Sequence, residues 1–173
     1  MKNITYLFAA LLLCLGTVGH AQHADKDTSI AIKNAKIMPA YFELKNSLLA
    51  SDSVKTVEAA LAFKTELPRL HLRAHQLDEL ISLKQLRAKI LGEAELLAAT
   101  KNINKQRVHF AILSKDLWTM ANAYKFTTGN AYYNQCPMTG VTWISDEKEI
   151  ANPYYPKNMR TCGQIKEQIE QAK

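Results

Sequence analysis

The sequence contains none of the short motifs that mark common enzyme sites. It has no Gly-x-Ser-x-Gly elbow, no glycine-rich phosphate loop and no Cys-x-x-Cys redox pair. It also has no block of basic residues, because its lysines and arginines are mixed with acidic residues along the chain. The net charge of +6 therefore indicates solubility or a loose attraction to an anionic surface. We expect neither an enzyme nor a nucleic-acid-binding protein.

Long hydrophobic runs are also missing, except at the N-terminus. There the apolar segment Ile4–Val18 follows a basic start and leads to Gly19 and Ala21, small residues placed as a signal peptidase site requires. The segment is short for a membrane-spanning helix of roughly 20 apolar residues. It predicts a signal peptide over 1–21, and hence a periplasmic or secreted protein with no membrane span after cleavage. Cys14 would be removed with it.

The remaining chain shows apolar residues at spacings of three and four, which predict helices. After a flexible leader over 22–38, we expect a single domain over 39–173. The predicted helices are Pro39–Ala50, Val54–Leu67, Arg69–Ala99, and a fourth that runs from the Thr100–Asn104 connector to Tyr124. Their predicted inward residues are Tyr41, Leu44 and Leu48; Val54, Val57 and Leu61; Leu70, Ala74, Leu77, Ile81, Leu83, Leu86, Ile90 and Leu97; and Phe110, Leu113, Leu117, Met120 and Tyr124. Amphipathic helices with short links favour a mainly α fold, an antiparallel bundle of three to four helices.

The pattern changes over 127–173, which we name the appendage. Tyr132–Met138 and Val141–Ser145 read as short strands, and the two residues between them predict a β-hairpin. The appendage is otherwise rich in turn residues, and Gly163–Ala172 is predicted to be a short terminal helix. Because it also holds both cysteines outside the signal peptide, specific chemistry is expected here.

These residues resemble a bacterial family. The chain is similar to the domain of unknown function found in exported proteins and C-terminal to the membrane-fusion adaptor subunits of copper/silver efflux. The residues that carry the resemblance are Tyr41 to Leu48 with Asp52; Arg107, Phe110, Leu113 and Ser114; Cys136-Pro137-Met138; Trp143-Ile144-Ser145; Ile150; Asn152-Pro153-Tyr154-Tyr155; and Met159 with Cys162-Gly163. The family often has glycine where Pro156 stands. The resemblance implies a helical domain that acts near metal efflux, with an efflux adaptor as its partner.

Four sulfur-bearing residues form the first candidate site: Cys136, Met138, Met159 and Cys162. Two cysteines in an exported chain favour a disulfide. Thiolate and thioether sulfurs instead select Cu(I), or silver, over harder ions. The two interpretations compete, because an oxidised cysteine is no longer a thiolate ligand. A disulfide would still leave the two methionines as thioether ligands.

A second, weaker candidate consists of His71, His75 and Asp78. Their spacings of four and three would place all three on one face of a helix. Two imidazoles and a carboxylate can bind Zn(II) or Cu(II). The glutamate of a His-Glu-x-x-His metalloprotease is missing, so hydrolysis is not implied. The same pattern is typical of a solvated polar face.

Two functions follow from these features. The first is an exported metal-handling accessory protein that binds copper or silver or assists its efflux. The second is a metal-free structural or interaction module, stabilised by a Cys136–Cys162 disulfide. In that module the appendage rings would pack on the bundle and present a docking surface. These rings belong to Tyr132, Tyr133, Trp143, Tyr154 and Tyr155.

Overall fold

The computed structural model describes residues 34–72, 76–124 and 129–169, and the following description refers to these ranges. The fold is mainly helical with a small antiparallel sheet after the helices, which confirms the predicted fold class. The helices are α1 (Ile37–Leu49), α2 (Ser53–Glu66), α3 (Leu77–Ala98) and α4 (Ile103–Tyr124), with a 3-10 turn at Leu67–Arg69. The strands are β1 (Ala131–Gln135), β2 (Thr142–Ser145) and β3 (Gln164–Ile169). The predicted signal peptide lies outside the described residues.

Neighbouring helices run antiparallel. On α1 and α4, Tyr41 contacts Ser114 through their hydroxyls at 2.8 Å, while Leu48 accepts a hydrogen bond from Arg107 at 3.1 Å. Residue numbers therefore rise along one helix as they fall along the other. The same holds for α3 and α4, where Glu93 pairs with His109 and Lys89 pairs with Asp116, each at 2.8 Å.

Two predicted helix starts carry side-chain caps. Asp52 accepts hydrogen bonds from the amides of Val54 and Lys55, and its backbone is extended as an N-cap requires. Asn102 accepts from the amides of Asn104 and Lys105 at 3.0 and 3.2 Å. The first helix begins at Ile37, two residues before Pro39, because Ile37 and Met38 are buried in the core.

The core contains most of the predicted inward residues. Those that are fully or nearly fully buried are Tyr41, Leu44, Leu48, Leu70, Leu83, Ile90, Leu97, Phe110, Leu113, Leu117 and Met120. The prediction is wrong for Val54, Leu61, Leu77 and Ile81, whose side chains are between 47% and 71% exposed. On α2, the bulk of Phe63 sets the buried face instead, and this face is completed by the small residues Thr56 and Ala60.

The third helix is shorter than predicted. Pro68 does not begin it. It lies in the 3-10 turn that continues α2, and α3 begins only at Leu77. Leu70 leaves the helical conformation with ψ near 119° and is 3% exposed, so it enters the core from an extended segment. Its carbonyl accepts a hydrogen bond from Arg87 at 3.2 Å. The gain from burying this side chain outweighs the weak preference of the segment for a helix.

The sheet has the strand order β2-β1-β3, with both pairs antiparallel. The predicted hairpin is present, but six residues connect its strands instead of two. The prediction of a terminal helix is wrong, because Gln164–Ile169 is strand β3. Its lysine, glutamate and glutamines favour a helix in isolation. Pairing with the free edge of β1 and burial of Ile169 decide the conformation instead.

Candidate functional site

The two cysteines lie side by side at one end of the sheet. Gln135, the last residue of β1, pairs with Gln164, the first residue of β3. Cys136 follows the one strand and Cys162 comes shortly before the other, so antiparallel pairing brings them together. Their Sγ atoms are 3.2 Å apart, and both cysteines are free thiols. Cys136 is buried and Cys162 is half-buried, so the pair is reached from the side of Cys162.

Backbone hydrogen bonds close the turn that begins at Cys136. The Cys136 amide donates to the carbonyl of Val141 at 2.9 Å, and the Gly140 amide donates to the carbonyl of Cys136 at 2.8 Å. Gly140 has a φ of 76°, which favours glycine at this position. Burial acts to raise the pKa of the Cys136 thiol. The neighbouring Thr139 hydroxyl, Cys162 and the backbone of Met138 and Thr139 act in the opposite sense and outweigh burial, so the pKa is lowered.

The pKa of the Cys162 thiol shifts in the opposite direction. Its hydrogen bond to Cys136 raises its pKa first of all, and burial and the negative charge of the Cys136 thiolate act in the same sense. The first proton therefore leaves Cys136, while Cys162 keeps its proton and donates it to the thiolate. The pair titrates as a unit, with a thiolate on the buried side and a thiol on the accessible side.

Asn152 fixes the backbone that carries Cys162. This asparagine is fully buried, and its Nδ2 donates to the carbonyl of Cys162 at 3.0 Å. Its Oδ1 accepts from the amide of Tyr154 at 3.0 Å, and its own amide donates to the carbonyl of Arg160 at 2.8 Å. One side chain thus connects both ends of the turn that precedes β3. The sequence indicates a turn at Asn152-Pro153 but not this contact with Cys162.

Gly163 leaves no room for a side chain. A Cβ atom at this position would lie 2.7 Å from Cγ2 of Ile150 and 2.8 Å from Cη2 of Trp143. Trp143 is fully buried, so its ring cannot move into solvent. The glycine therefore lets the chain pass directly over the indole, and this sets the position of the neighbouring Cys162.

The two methionines of the predicted site differ in exposure. Met138 lies in the Cys136 turn and its side chain is 74% exposed. Met159 is half-buried, and its carbonyl accepts the amide of Cys162 at 3.0 Å. Each methionine therefore lies in the same turn as one of the cysteines. In the described ranges, no group of three or more His, Cys, Asp or Glu residues is placed to hold a metal ion. A metal at the cysteine pair would therefore need these thioethers or an external ligand to complete its coordination.

The second candidate site does not form as predicted. His71 is exposed and precedes α3, whereas Asp78 lies in the first turn of that helix, so the two do not share a helix face. The backbone amide of His71 donates to Asn34 at 3.3 Å. His75 lies outside the described residues. The prediction fails because α3 begins at Leu77 and not near Pro68.

Most of the appendage rings are inside the molecule. Trp143, Tyr132 and Tyr154 are between 0% and 7% exposed, while Tyr155 is 37% exposed. Tyr133 stacks on Trp118, with 4.8 Å between the ring centroids and an interplanar angle of 3°. These rings attach the sheet to the bundle, and Tyr155 is the most exposed of the five.

Arg107 and Lys45 also connect the appendage to the bundle. Arg107 donates to the carbonyl of Pro153 at 2.9 Å and to the Ser51 hydroxyl at 2.9 Å. Lys45 is 5% exposed and pairs with Asp146 at 2.9 Å. Both residues belong to the segments that carry the family resemblance, but the sequence does not predict that Lys45 is buried. The signal for this burial in the sequence is that the lysine lies between inward-facing positions of a helix.

Comparisons with known proteins identify a family for the helical part of the chain. In the described residues no helix is long and apolar enough to cross a membrane. No curated protein and no solved structure gives a significant match. A family match covers residues 37–129, from the start of α1 to the residues just before β1, and so ends before the cysteine pair. Since this match covers more than half of the 173 residues, the chain belongs to the family described as "Protein of unknown function (DUF3347)".

Proposed function

We propose that this chain is an exported metal-handling protein that binds Cu(I) or Ag(I) at Cys136 and Cys162, with Met138 and Met159 as further ligands. It would act as an accessory to metal efflux, with an efflux adaptor as its partner. The observation that carries the proposal is the free cysteine pair at 3.2 Å, in which one sulfur is favoured as a thiolate. Thiolate and thioether sulfurs prefer Cu(I) to harder cations.

The geometry of the pair supports metal binding with a small adjustment. With metal–sulfur bonds of roughly 2.3 Å, sulfurs at the observed separation of 3.2 Å would subtend an angle of about 90° at the metal. A tetrahedral angle needs about 3.8 Å, so the pair must open by about 0.6 Å. A half-buried Cys162 on a turn can make this movement more easily than Cys136, which is fully buried.

The donors around Cys136 favour a ligand role over simple packing. An N–H or O–H group that points at sulfur stabilises negative charge, which a metal-binding thiolate carries and a disulfide does not. Met138 lies in the same turn with its thioether exposed to solvent, where an incoming ion would meet it first. The proposed path of the metal therefore leads from Met138 and Cys162 inward to Cys136.

The second function is a metal-free module stabilised by a Cys136–Cys162 disulfide. The same sulfur separation favours it, because a closing movement of about 1.1 Å reaches the bond length of about 2.05 Å. Oxidation by the disulfide of an oxidoreductase would remove two electrons and two protons, and that disulfide would leave as two thiols. The bond would contribute roughly 3 to 4 kcal/mol on the chain-entropy model.

Competition for Cu(I) with a coloured chelator, without oxygen, tests the metal proposal on the reduced protein. We expect the reduced protein to bind one ion. Cys136→Ser or Cys162→Ser should weaken this binding by more than roughly 10- to 100-fold, which is the effect of losing an outer-shell group. Met138→Leu and Met159→Leu should weaken it less. Met120→Leu is the matched control, because Met120 is buried in the core and should leave binding unchanged.

A thiol count on protein purified without reductant separates the two functions. After removal of the predicted signal peptide, which contains Cys14, two reactive thiols in the unfolded protein support the metal site and none supports the disulfide. If the reduced protein keeps its helical circular dichroism but binds neither Cu(I) nor Ag(I), the metal proposal is wrong.

A further inference from the structure

A groove runs along the outer face of α4, and its lining includes neither cysteine. It consists of three adjoining clefts of about 420, 520 and 340 Å³. The first two share Arg107, Tyr154 and Tyr155, and the last two share Ala111, Ile112 and Val141. The groove follows α4 from Ile103 to Lys115, which at 1.5 Å per residue is a length of about 18 Å.

The middle cleft of the groove has an apolar floor that is open to solvent. Val108 is 62% exposed and Ile112 is 38% exposed, although both belong to a helix whose other face is packed in the core. Tyr155, 37% exposed, lies on the opposite wall. Val108 and Ile112, one turn apart on α4, therefore form a small apolar patch that no described part of the chain covers. An exposed apolar patch with a polar rim is typical of a surface that binds another molecule.

Positive charges outnumber negative charges around the groove. Its lining contains Arg107, Lys157, Lys115 and Lys89, against the single acid Asp116. That acid is already paired with Lys89 at 2.8 Å, so it does not offset the other three cations.

Arg107 is the most informative of these cations. It is partly buried, and this burial lowers its pKa. The partners of its guanidinium are neutral: two backbone carbonyls, the Ser51 hydroxyl at 2.9 Å and the Asn104 amide oxygen at 3.5 Å. Among the described residues, no carboxylate pairs with it. A partly desolvated cation without an anionic partner makes this end of the groove attractive to a carboxylate.

We propose that the groove binds an acidic, apolar peptide segment of a partner protein. A length of about 18 Å accommodates five or six extended residues. Acidic side chains of the segment would lie at Arg107 and Lys157, and its apolar side chains would cover Val108 and Ile112. Charge complementarity would give the partner its orientation, and apolar contact would give most of the affinity. This proposal does not depend on metal binding.

Fluorescence anisotropy with three labelled synthetic hexapeptides tests the proposal on the purified, reduced protein. One peptide alternates glutamate and leucine, one alternates lysine and leucine, and one alternates glutamate and serine. We expect the glutamate–leucine peptide to bind most tightly, with an affinity that falls as salt is added. Equal binding of the lysine–leucine peptide, or no binding of any peptide, would overturn the proposal.

Matched variants locate the binding surface. Val108→Glu should weaken the glutamate–leucine peptide about tenfold, and Lys157→Glu about fivefold. The controls are Leu61→Glu and Lys55→Glu on α2, which place the same changes on exposed residues that do not line the groove and should alter affinity less than about twofold. If the control variants weaken binding as much as the groove variants do, the peptide binds elsewhere and the proposal is wrong.

Two further measurements exclude other occupants. Sedimentation of the protein alone should show a monomer, because a dimer that Val108→Glu dissociates would assign the groove to a second copy. Vesicles of anionic lipid should not compete with the peptide, since competition would assign the groove to a membrane surface. Cys136→Ser should bind the peptide as the natural chain does, so failure of the metal site and failure of the groove give different results.

Discussion

Replacing Gly163 with alanine tests whether the chain must pass this closely over Trp143. The new Cβ would lie 2.7 Å from Ile150 and 2.8 Å from the indole, whereas ordinary contacts begin at 3.4 Å. Ile150 must therefore retreat by 0.7 Å and the ring by 0.6 Å. Because Trp143 is fully buried, we expect a destabilisation of about 1 to 3 kcal/mol from overpacking. The lower entropy of the unfolded alanine chain offsets about 0.4 to 1 kcal/mol of this.

Urea unfolding of the reduced protein measures the effect, and Gly92→Ala provides the matched control. A Cβ on Gly92 would meet no atom within 4 Å, and the residue lies inside α3. The same substitution should therefore stabilise the protein there by up to about 1 kcal/mol. We expect Gly163→Ala to lower the unfolding free energy and Gly92→Ala to raise it, with a difference of about 2 kcal/mol between the two variants.

A double-mutant cycle identifies the cause. Ile150→Ala removes the nearer of the two clashing groups, so the double variant should lose less stability than the sum of the single variants. If Gly163→Ala unfolds within a few tenths of a kcal/mol of the natural protein, the close passage over Trp143 does not constrain the chain. The position of Cys162 must then have another origin.

Three further predictions concern the same region. Asn152→Ala should lower the unfolding free energy by about 1 to 3 kcal/mol, because it leaves the buried carbonyl of Cys162 without its side-chain donor; thermal unfolding measures this. In the reduced protein, the cysteine pair should make stability rise with pH up to about 9.0 and fall above it. Below that pH the lowered pKa of Cys136 means that the unfolded chain binds more protons than the folded chain. Above it the raised pKa of Cys162 means that the folded chain binds more. Tyrosines with raised pKa values also lower stability above about pH 10, so the cysteine contribution is the difference in urea midpoint between the natural chain and a variant with both cysteines replaced by serine. Asp146→Asn should cost about 1 to 2 kcal/mol, because it leaves the buried charge of Lys45 unpaired, and Lys45→Met in the same background should recover most of the loss in urea unfolding.

The sequence predicts the helices well where bulky apolar residues define one face. On α4, Phe110, Leu113 and Leu117 leave no choice of orientation, and all three are fully buried. On α2, small and β-branched residues occur around the whole helix, so spacing alone does not distinguish Val54 from Ala60. The difference depends on which face meets α1 and α3, and that is a property of the tertiary fold.

The end of the chain shows the limit of local propensity. Gln164–Ile169 has the composition of an exposed helix, yet it forms β3 because β1 presents an unpaired edge beside it. The same pairing brings Cys162 to Cys136. The sequence therefore predicts the identity of the sulfur residues, but their proximity results from a strand that local propensity does not reveal.

The groups that affect the pKa of Cys136 and the position of Cys162 are still harder to predict. Thr139 acts on the pKa of Cys136 through its hydroxyl and its amide, and Asn152 acts on Cys162 through a backbone carbonyl. Both belong to residue types that are common in turns for local reasons. A turn residue and a residue that orients a thiol look alike in one sequence, and only the folded geometry separates them.

The bundle and the sheet belong to one compact unit, although the family match ends at residue 129. Tyr41 of α1 accepts the amide of Ile144 in β2 at 3.0 Å, and its hydroxyl also meets Ser114 of α4 at 2.8 Å. Burial raises the pKa of this tyrosine, as expected for a phenol enclosed between two elements. The Tyr41 hydroxyl therefore connects β2 to both α1 and α4. The family-matched helices thus pack directly against the sheet from which the two sulfur-bearing turns extend.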